Sequence, residues 1–223
     1  MRPRCRVDDP LSSDWPLLAL RLECGTVALR PVRENDLPQL AAVQPPDYEH
    51  DPRVETLPGQ DADEHRRRLV YQRYWHSMGT WSPSSWCLDF VVEHGGALVG
   101  VQSLEAASFL TLRTVDSTSW LVSAVRGRGV GIAMRTAVLG LAFDHLGALA
   151  AVTSARTDNA ASLGVSRHLG YRDNGVSLSA SSAGRVELKH LRLTAQDWQA
   201  TARGRQVTVH GLDACLPWFG IAS

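Results

Sequence analysis

Residues 125–131 read VRGRGVG, and residues 159–171 read NAASLGVSRHLGY. The first stretch follows the apolar run Trp120-Leu121-Val122 directly. After it, residues 129–146 carry helical periodicity, with Ile132, Ala133, Thr136, Leu139, Gly140 and Phe143 on one stripe. The local order is therefore strand, glycine-rich turn, helix. The first turn of a helix leaves backbone N–H groups unpaired, and the helix dipole adds partial positive charge there. Glycines at 127, 129 and 131 allow close approach of a bulky anion, and Arg126 and Arg128 add charge at the rim. The segment reads as a phosphate cradle. It is not a P-loop, because no Gly-Lys-Ser/Thr is present, and Ile132 stands where a GxGxxG fingerprint needs its third glycine.

The elements around the cradle follow from pattern. Residues 148–156, ALAAVTSAR, form a continuous apolar strand of the kind buried on both faces. Residues 158–169 predict a second helix, capped by Asp158 or Asn159 and closed by Gly170. Upstream, residues 86–94 and 97–106 flank Gly95-Gly96 as a hairpin, and residues 113–123 predict one further strand. Residues 24–32 have strand composition, and Glu34-Asn35-Asp36 precede the helical run LPQLAAV. A second upstream helix covers residues 61–77, with Asp61 or Asp63 as cap and Leu69, Val70, Arg73 and Tyr74 at helical spacing. Between these helices lies a proline-rich loop, residues 44–60. Residues 171–178 and 185–193 are weaker strands around a Ser/Ala/Gly turn, and residues 206–210 are a short strand candidate. No internal repeat is present. The order implies one α/β domain with a mixed sheet.

Composition sets limits. The chain has 223 residues, 44% of them hydrophobic, with 23 basic and 23 acidic side chains. A net charge of zero argues against nucleic-acid binding by bulk charge. Lys189 is the only lysine, so the basic set is almost entirely arginine. Cys5, Cys24, Cys87 and Cys215 show neither zinc spacing nor a dense disulfide framework, and no metal is expected. No apolar stretch is long enough for a membrane span, and the basic N-terminus lacks the apolar core of a signal peptide. A cytoplasmic protein is expected.

Arg126-Gly127-Arg128-Gly129-Val130-Gly131 matches the R/Q-x-x-G-x-G/A acyl-CoA motif of the GCN5-related N-acetyltransferase (GNAT) superfamily. Asn159-x-x-Ser162, followed by Leu169-Gly170-Tyr171-Arg172, resembles its RimJ/RimL-like branch, as do Leu29-Arg30-Pro31 and Asp36-Leu37. The resemblance covers residues 24–194. It implies a mostly antiparallel mixed sheet of about seven strands with flanking helices and a V-shaped splay between two parallel strands. The transferase domain is then 21–194, between an N-terminal extension, 1–20, and a C-terminal extension, 195–223, that packs on the domain or on a partner subunit. The apolar tail LPWFG favours a homo-oligomer.

The activity so implied is transfer of an acetyl or succinyl group from acetyl-CoA or succinyl-CoA to a primary amine. The acceptor is a protein N-terminus, a lysine or a small-molecule amine. By the same resemblance, backbone groups of Leu121 and Ser123 hold the pantetheine arm, the N–H groups from Arg126 to Gly131 hold the diphosphate, and Asn159 reaches an amide of the arm. The plainer reading of Asn159 is a helix cap. Ser162 lies near the thioester sulfur as hydrogen-bond donor, ahead of Tyr171. Asp116 is the first choice for general base, with Glu105, Glu187 and His190 as alternatives. A lysine amine is only about 0.04% neutral at pH 7, whereas an α-amine is about 10–20% neutral and needs less help. Trp75, Trp81 and Trp86 are candidates to line the acceptor cleft. Arg113, His76 and Arg66 to Arg68 are candidates for a succinyl carboxylate. The competing readings are a non-catalytic acyl-CoA-binding sensor or scaffold and a nucleotide-dependent enzyme, the latter disfavoured by the failed motifs.

Overall fold

The computed structural model describes residues 11–50, 54–181, 184–201 and 206–221. The first ten residues of the expected N-terminal extension, Cys5 included, lie outside the described residues. So do the middle of the 44–60 loop and residues 182–183 of the last turn.

In chain order the elements are α1 (Leu11–Asp14), β1 (Arg21–Cys24), β2 (Val27–Pro31), α2 (Leu37–Val43) and α3 (Ala62–Gly79). Next come β3 (Trp86–His94), β4 (Ala97–Ala106), α4 (Phe109–Leu112), β5 (Thr114–Asp116), β6 (Ser119–Leu121) and α5 (Val130–Gly140). The chain closes with β7 (Ala150–Arg156), α6 (Ala160–His168), β8 (Arg172–Ser181), β9 (Gly184–Thr194), α7 (Ala195–Thr201) and β10 (Thr208–His210). All the strands join one ten-stranded sheet in the order β10-β1-β2-β3-β4-β5-β7-β9-β8, with β6 paired to β4. It is the expected mixed α/β sheet, with more strands than expected. Residues 24–32 are not one strand, because Gly25, at φ 59°, turns the chain and pairs Cys24 with Val27. The C-terminal residues add β10, whose His210 lies opposite Arg21 of β1.

Both faces of the sheet are covered. On β3, Leu88, Phe90 and Val92 point into the main core beneath α5, while Val91 joins Val101 of β4 and Leu37 and Leu40 of α2 in a second cluster. Alternate side chains of a strand face opposite ways, so one strand serves both cores. Asp61 caps α3 through a capping box with Glu64, at 2.7 and 3.1 Å. The expected single stripe on α5 is corrected. Met134 to Gly140 are buried in sequence, because the helix lies between the sheet, α6 and the C-terminal segment, where Val207 approaches Gly140.

The site is positioned by one divergence. β5 pairs with β7 in parallel, Asp116 opposite Val152. Beyond Asp116 the chain keeps its register along β4, Glu105 opposite Asp116 and Gln102 opposite Ser119, but it leaves β7. Side chains satisfy the backbone at the break. The Asp116 carboxylate accepts from Ser117 N–H at 2.6 Å, Gln102 Nε2 donates to the Thr118 carbonyl at 3.0 Å, and Thr153 Oγ1 donates to the Ser117 carbonyl at 3.1 Å. The strand expected over 113–123 is thus interrupted at 117–118.

β6 sits tightly on β4 at Gly100, where a Cβ would lie 2.2 Å from the Trp120 carbonyl oxygen and 2.8 Å from Leu121 Cδ2. Gly100→Ala is expected to destabilise the fold by about 1–3 kcal/mol, read as a lower urea midpoint. An unchanged midpoint would show that β6 is free to shift.

Candidate active site

The edge of β6 that faces β7 carries no strand partner, because β7 pairs with β5 only through residues 150–152 and with β9 on its other side. The unpaired edge leads into the glycine turn. Among the described residues, the N–H groups of Gly127, Arg128, Gly129, Val130 and Gly131 have no acceptor. Gly127 and Gly129 adopt positive φ, 73° and 81°, and a Cβ at either would meet nothing within 4 Å. The turn is an open concavity lined by backbone donors at the head of α5. Gly131 brings this first helical turn against Leu121 of β6 and Val165 of α6, at 3.8 and 3.6 Å from its would-be Cβ. These contacts bring the cradle, the splayed strand and α6 together.

The two cradle arginines differ. Arg128 is exposed. Arg126 folds back over the strand, with Nε donating to the Leu121 carbonyl at 3.0 Å and its fork gripping Asp47 at 2.6 and 2.9 Å. On the other arm, Arg156 at the end of β7 pairs with Glu49 at 3.4 Å and with Asp158 at 2.7 Å. Residues 47 and 49 thus reach the two arms of the splay. Between and after them, Tyr48 and His50 line a neighbouring cavity.

That cavity has a volume of about 560 Å³ and opens against Thr118, Ser119 and Trp120 of the splayed strand. Its floor is apolar, with Val32, Leu40 and Val101. Its polar centre is Arg73 of α3, bidentate to Asp89 at 2.9 and 3.0 Å and bonded to Ser103 Oγ at 3.1 Å. Ser103 in turn donates to Asp89. Asp89 keeps the guanidinium firmly charged, and burial pushes the Cys87 thiol beside it up. Burial also drives the His50 imidazole down and the Tyr48 phenol up, so both favour their neutral forms. Sequence reasoning missed this cavity, although Arg73 stands at helical spacing with Leu69 and Val70. The tryptophans expected here lie elsewhere. Trp81 and Trp86 pack on each other and against Phe219, and Trp75 is exposed.

Asp116 lies at the fork of the splay, across β4 from Glu105. Burial pushes its carboxyl up to about 6, with Glu105 adding to the rise and the Ser117 N–H, Arg135 and His190 opposing it. Asn159 Oδ1 accepts from Ser162 N–H at 3.0 Å, so Asn159 is a helix cap in this structure. Ser162 sits in the first turn of α6, half-buried, and its hydroxyl makes no hydrogen bond among the described residues. Tyr171 is buried beyond the end of α6. Of the remaining candidates, His190 bonds Ser177 at 2.7 Å on the outer strands, and Arg113 lies over the Phe109 ring. Arg66 and Arg68 bond within and beside α3. Only His76 among the succinyl candidates lines the cavity. No helix among the described residues is long and apolar enough to cross a membrane.

Asp116 is expected to titrate near pH 6 in the ligand-free protein, which NMR of the carboxyl carbon reads directly. Because folding raises this pKa from 3.8, the folded state holds the proton more tightly. The contribution of Asp116 to stability is then full below about pH 4 and falls as pH rises through about 6. Asp116→Asn should flatten that fall, and an ordinary carboxyl titration near 4 would remove the basis for it.

The sequence profile of the acetyltransferase (GNAT) domain family matches residues 26–172. Among solved structures, the chain is similar to Mycobacterium smegmatis RimJ in complex with CoA-disulfide, with TM-score 0.62, 20% identity, and 84% of this chain and 97% of that one covered. It is also similar to RimL, the ribosomal L7/L12 alpha-N-protein acetyltransferase, with TM-score 0.59 and 17% identity over 78% of this chain and 94% of that one. A chimera of the Vibrio cholerae spermidine N-acetyltransferase SpeG with hSSAT gives TM-score 0.61 and 13% identity, covering 79% and 99%. At these identities the likeness is one of fold.

Proposed function

Since the chain belongs to the acetyltransferase (GNAT) domain family, we propose that it transfers an acyl group from a CoA thioester to a primary amine, by direct attack in a ternary complex. One observation carries this reading. Free backbone N–H groups at the head of α5 and the strand edge of β6 without a strand partner lie on one stretch of chain, beside a cavity large enough for an amine acceptor. Residues 21–194 are proposed as the catalytic domain.

The N–H groups of Gly127 to Gly131 bind the diphosphate, with Arg128 at the rim. The free edge of β6, at Leu121 and towards Ser123, bonds the amides of the pantetheine arm, and Asn159 steadies the arm from α6. Asp116 takes the proton that the amine nitrogen loses as the new N–C bond forms. The Ser162 hydroxyl donates to the sulfur as the C–S bond breaks. CoA supplies the activated thioester. The donor is acetyl-CoA or succinyl-CoA, and the succinyl carboxylate would need Arg73 or His76, two hydrogen-bond donors of the cavity wall.

Thermal-shift measurements should show stabilisation of a few degrees by CoA, acetyl-CoA or succinyl-CoA at about 100 times Kd, and none by ATP or NAD. Release of free thiol in the presence of amines should follow. CoA binding without any transfer would favour a sensor, and a shift with ATP or NAD alone would overturn the cradle.

Arg126 has to leave the Leu121 carbonyl and Asp47 before a pantetheine arm can use that edge. Asp47→Asn removes the competing carboxylate. Exposed pairs of this kind are worth up to about 1 kcal/mol, so CoA binding should tighten on the order of threefold to fivefold in titration calorimetry. Weaker binding would show that Asp47 helps to build the donor site.

A further inference from the structure

Arg135, at the middle of α5, is 4% exposed and is the one buried charged side chain among the described residues. It makes no ion pair there. Its Nη1 donates to Ser166 Oγ at 2.9 Å and its Nη2 to Ser119 Oγ at 3.4 Å, while Nε has no partner. Ser166 Oγ in turn donates to the Ser162 carbonyl at 3.1 Å. Ser119 belongs to the splayed strand, and Ser162 and Ser166 to the helix that follows the other arm. The guanidinium is therefore a strut across the V. Beside it the Tyr171 hydroxyl and Ser117 Oγ are buried and face each other. The phenol, pushed up to about 12 mainly by burial, remains a donor.

A buried cation without a counter-ion costs several kcal/mol, so packing alone is a poor reason for an arginine here. Burial does act against its charge. The carboxylate its field reaches is Asp116, which also faces Glu105 from β4, His190 from β9 and the Ser117 N–H.

We propose that Arg135 is a positioning residue of the transfer: it ties the helix bearing Ser162 to the splayed strand and sets a positive charge facing the Asp116 carboxyl. This rests on the acyltransferase reading above. Arg135 acts through Ser166, Ser119 and the field at Asp116, with no contact to substrate required.

The test compares wild type with Arg135→Met, Arg135→Lys and Ser166→Ala. In Arg135→Met, the Asp116 carboxyl followed by NMR and the acid limb of kcat/KM should both move up by about 0.5–1 pH unit. Arg135→Lys keeps the charge and loses the fork. Its acid limb should stay near wild type, with kcat down about tenfold. Ser166→Ala should lower kcat by a similar factor while CoA affinity stays within about twofold. An Asp116 titration that does not move in Arg135→Met overturns the electrostatic part. If that variant does not fold, wild-type kcat in Arg135→Lys and Ser166→Ala overturns the strut. If wild type itself turns over no donor, the acyltransferase reading fails, and the Asp116 titration still decides what Arg135 does.

Discussion

The parting of one strand path from its parallel neighbour after Asp116 is the constraint on which the rest of the structure depends. Up to that point β5 and β7 share a ladder, and beyond it the β6 edge has no strand to bond. Unpaired backbone groups inside a fold are costly unless something satisfies them. Here Asp116, Gln102 and Thr153 bond the backbone of Ser117 and Thr118 at the break, so the chain does not drift back towards β7. What lacks a strand partner is the edge further along, at Ser119 to Leu121, where Arg126 covers the Leu121 carbonyl. An extended ligand that presents amide groups would complete it as a strand would. The same parting leaves Asp116 at the fork, where burial desolvates it.

Charge is distributed across this opening in a way that links its two ends. Arg126 and Arg156 stand on the two arms, and each is held by a carboxylate of the same short loop. In that loop the acidic residues alternate with Tyr48 and His50, which line the cavity together with Glu49. One stretch of backbone thus touches a cation on each arm and the wall of the cavity. A movement that frees Arg126 moves Tyr48 as well. The glycine-turn side and the cavity are thereby linked through one loop, without any need for a long-range path.

The sheet and its helices were largely legible, because period-2 and period-3.6 patterns are strong where a strand or helix buries one face. The hairpin at Gly95-Gly96 and the helix with its Asp61 cap follow directly from such signals. The two errors of extent have local causes. Gly25 splits a strand with no change in composition, and the break at Ser117-Thr118 is made by side-chain hydrogen bonds that leave the alternating pattern intact. The glycine cradle was legible because it is contiguous in sequence. The cavity was not, since Arg73, Tyr48, His50 and Asp89 come from α3, a loop and β3 and meet only through the second core. Arg135 was hidden for a different reason. An arginine in a helix normally reads as a solvated position, and only the burial of α5 on every side shows that this one is not.

That burial explains why α5 can carry two tasks at once. Its N-terminus supplies a fixed array of donors whose direction is set by the helix axis. A helix with one exposed face could rock about its contacts. With Met134 to Gly140 enclosed, and Gly131 seated between Leu121 and Val165, α5 is held on all sides, and the cradle inherits that rigidity. Its midpoint, about 7.5 Å further along the axis at 1.5 Å per residue, places a charge beside the fork of the splay. A single enclosed helix therefore fixes the spacing between the glycine turn and the fork of the splay. Donors preorganised in this way need little reorganisation when charge develops. The stability given up by burying Arg135 unpaired is then the counterpart of holding the two arms, and the groups on them, at one separation.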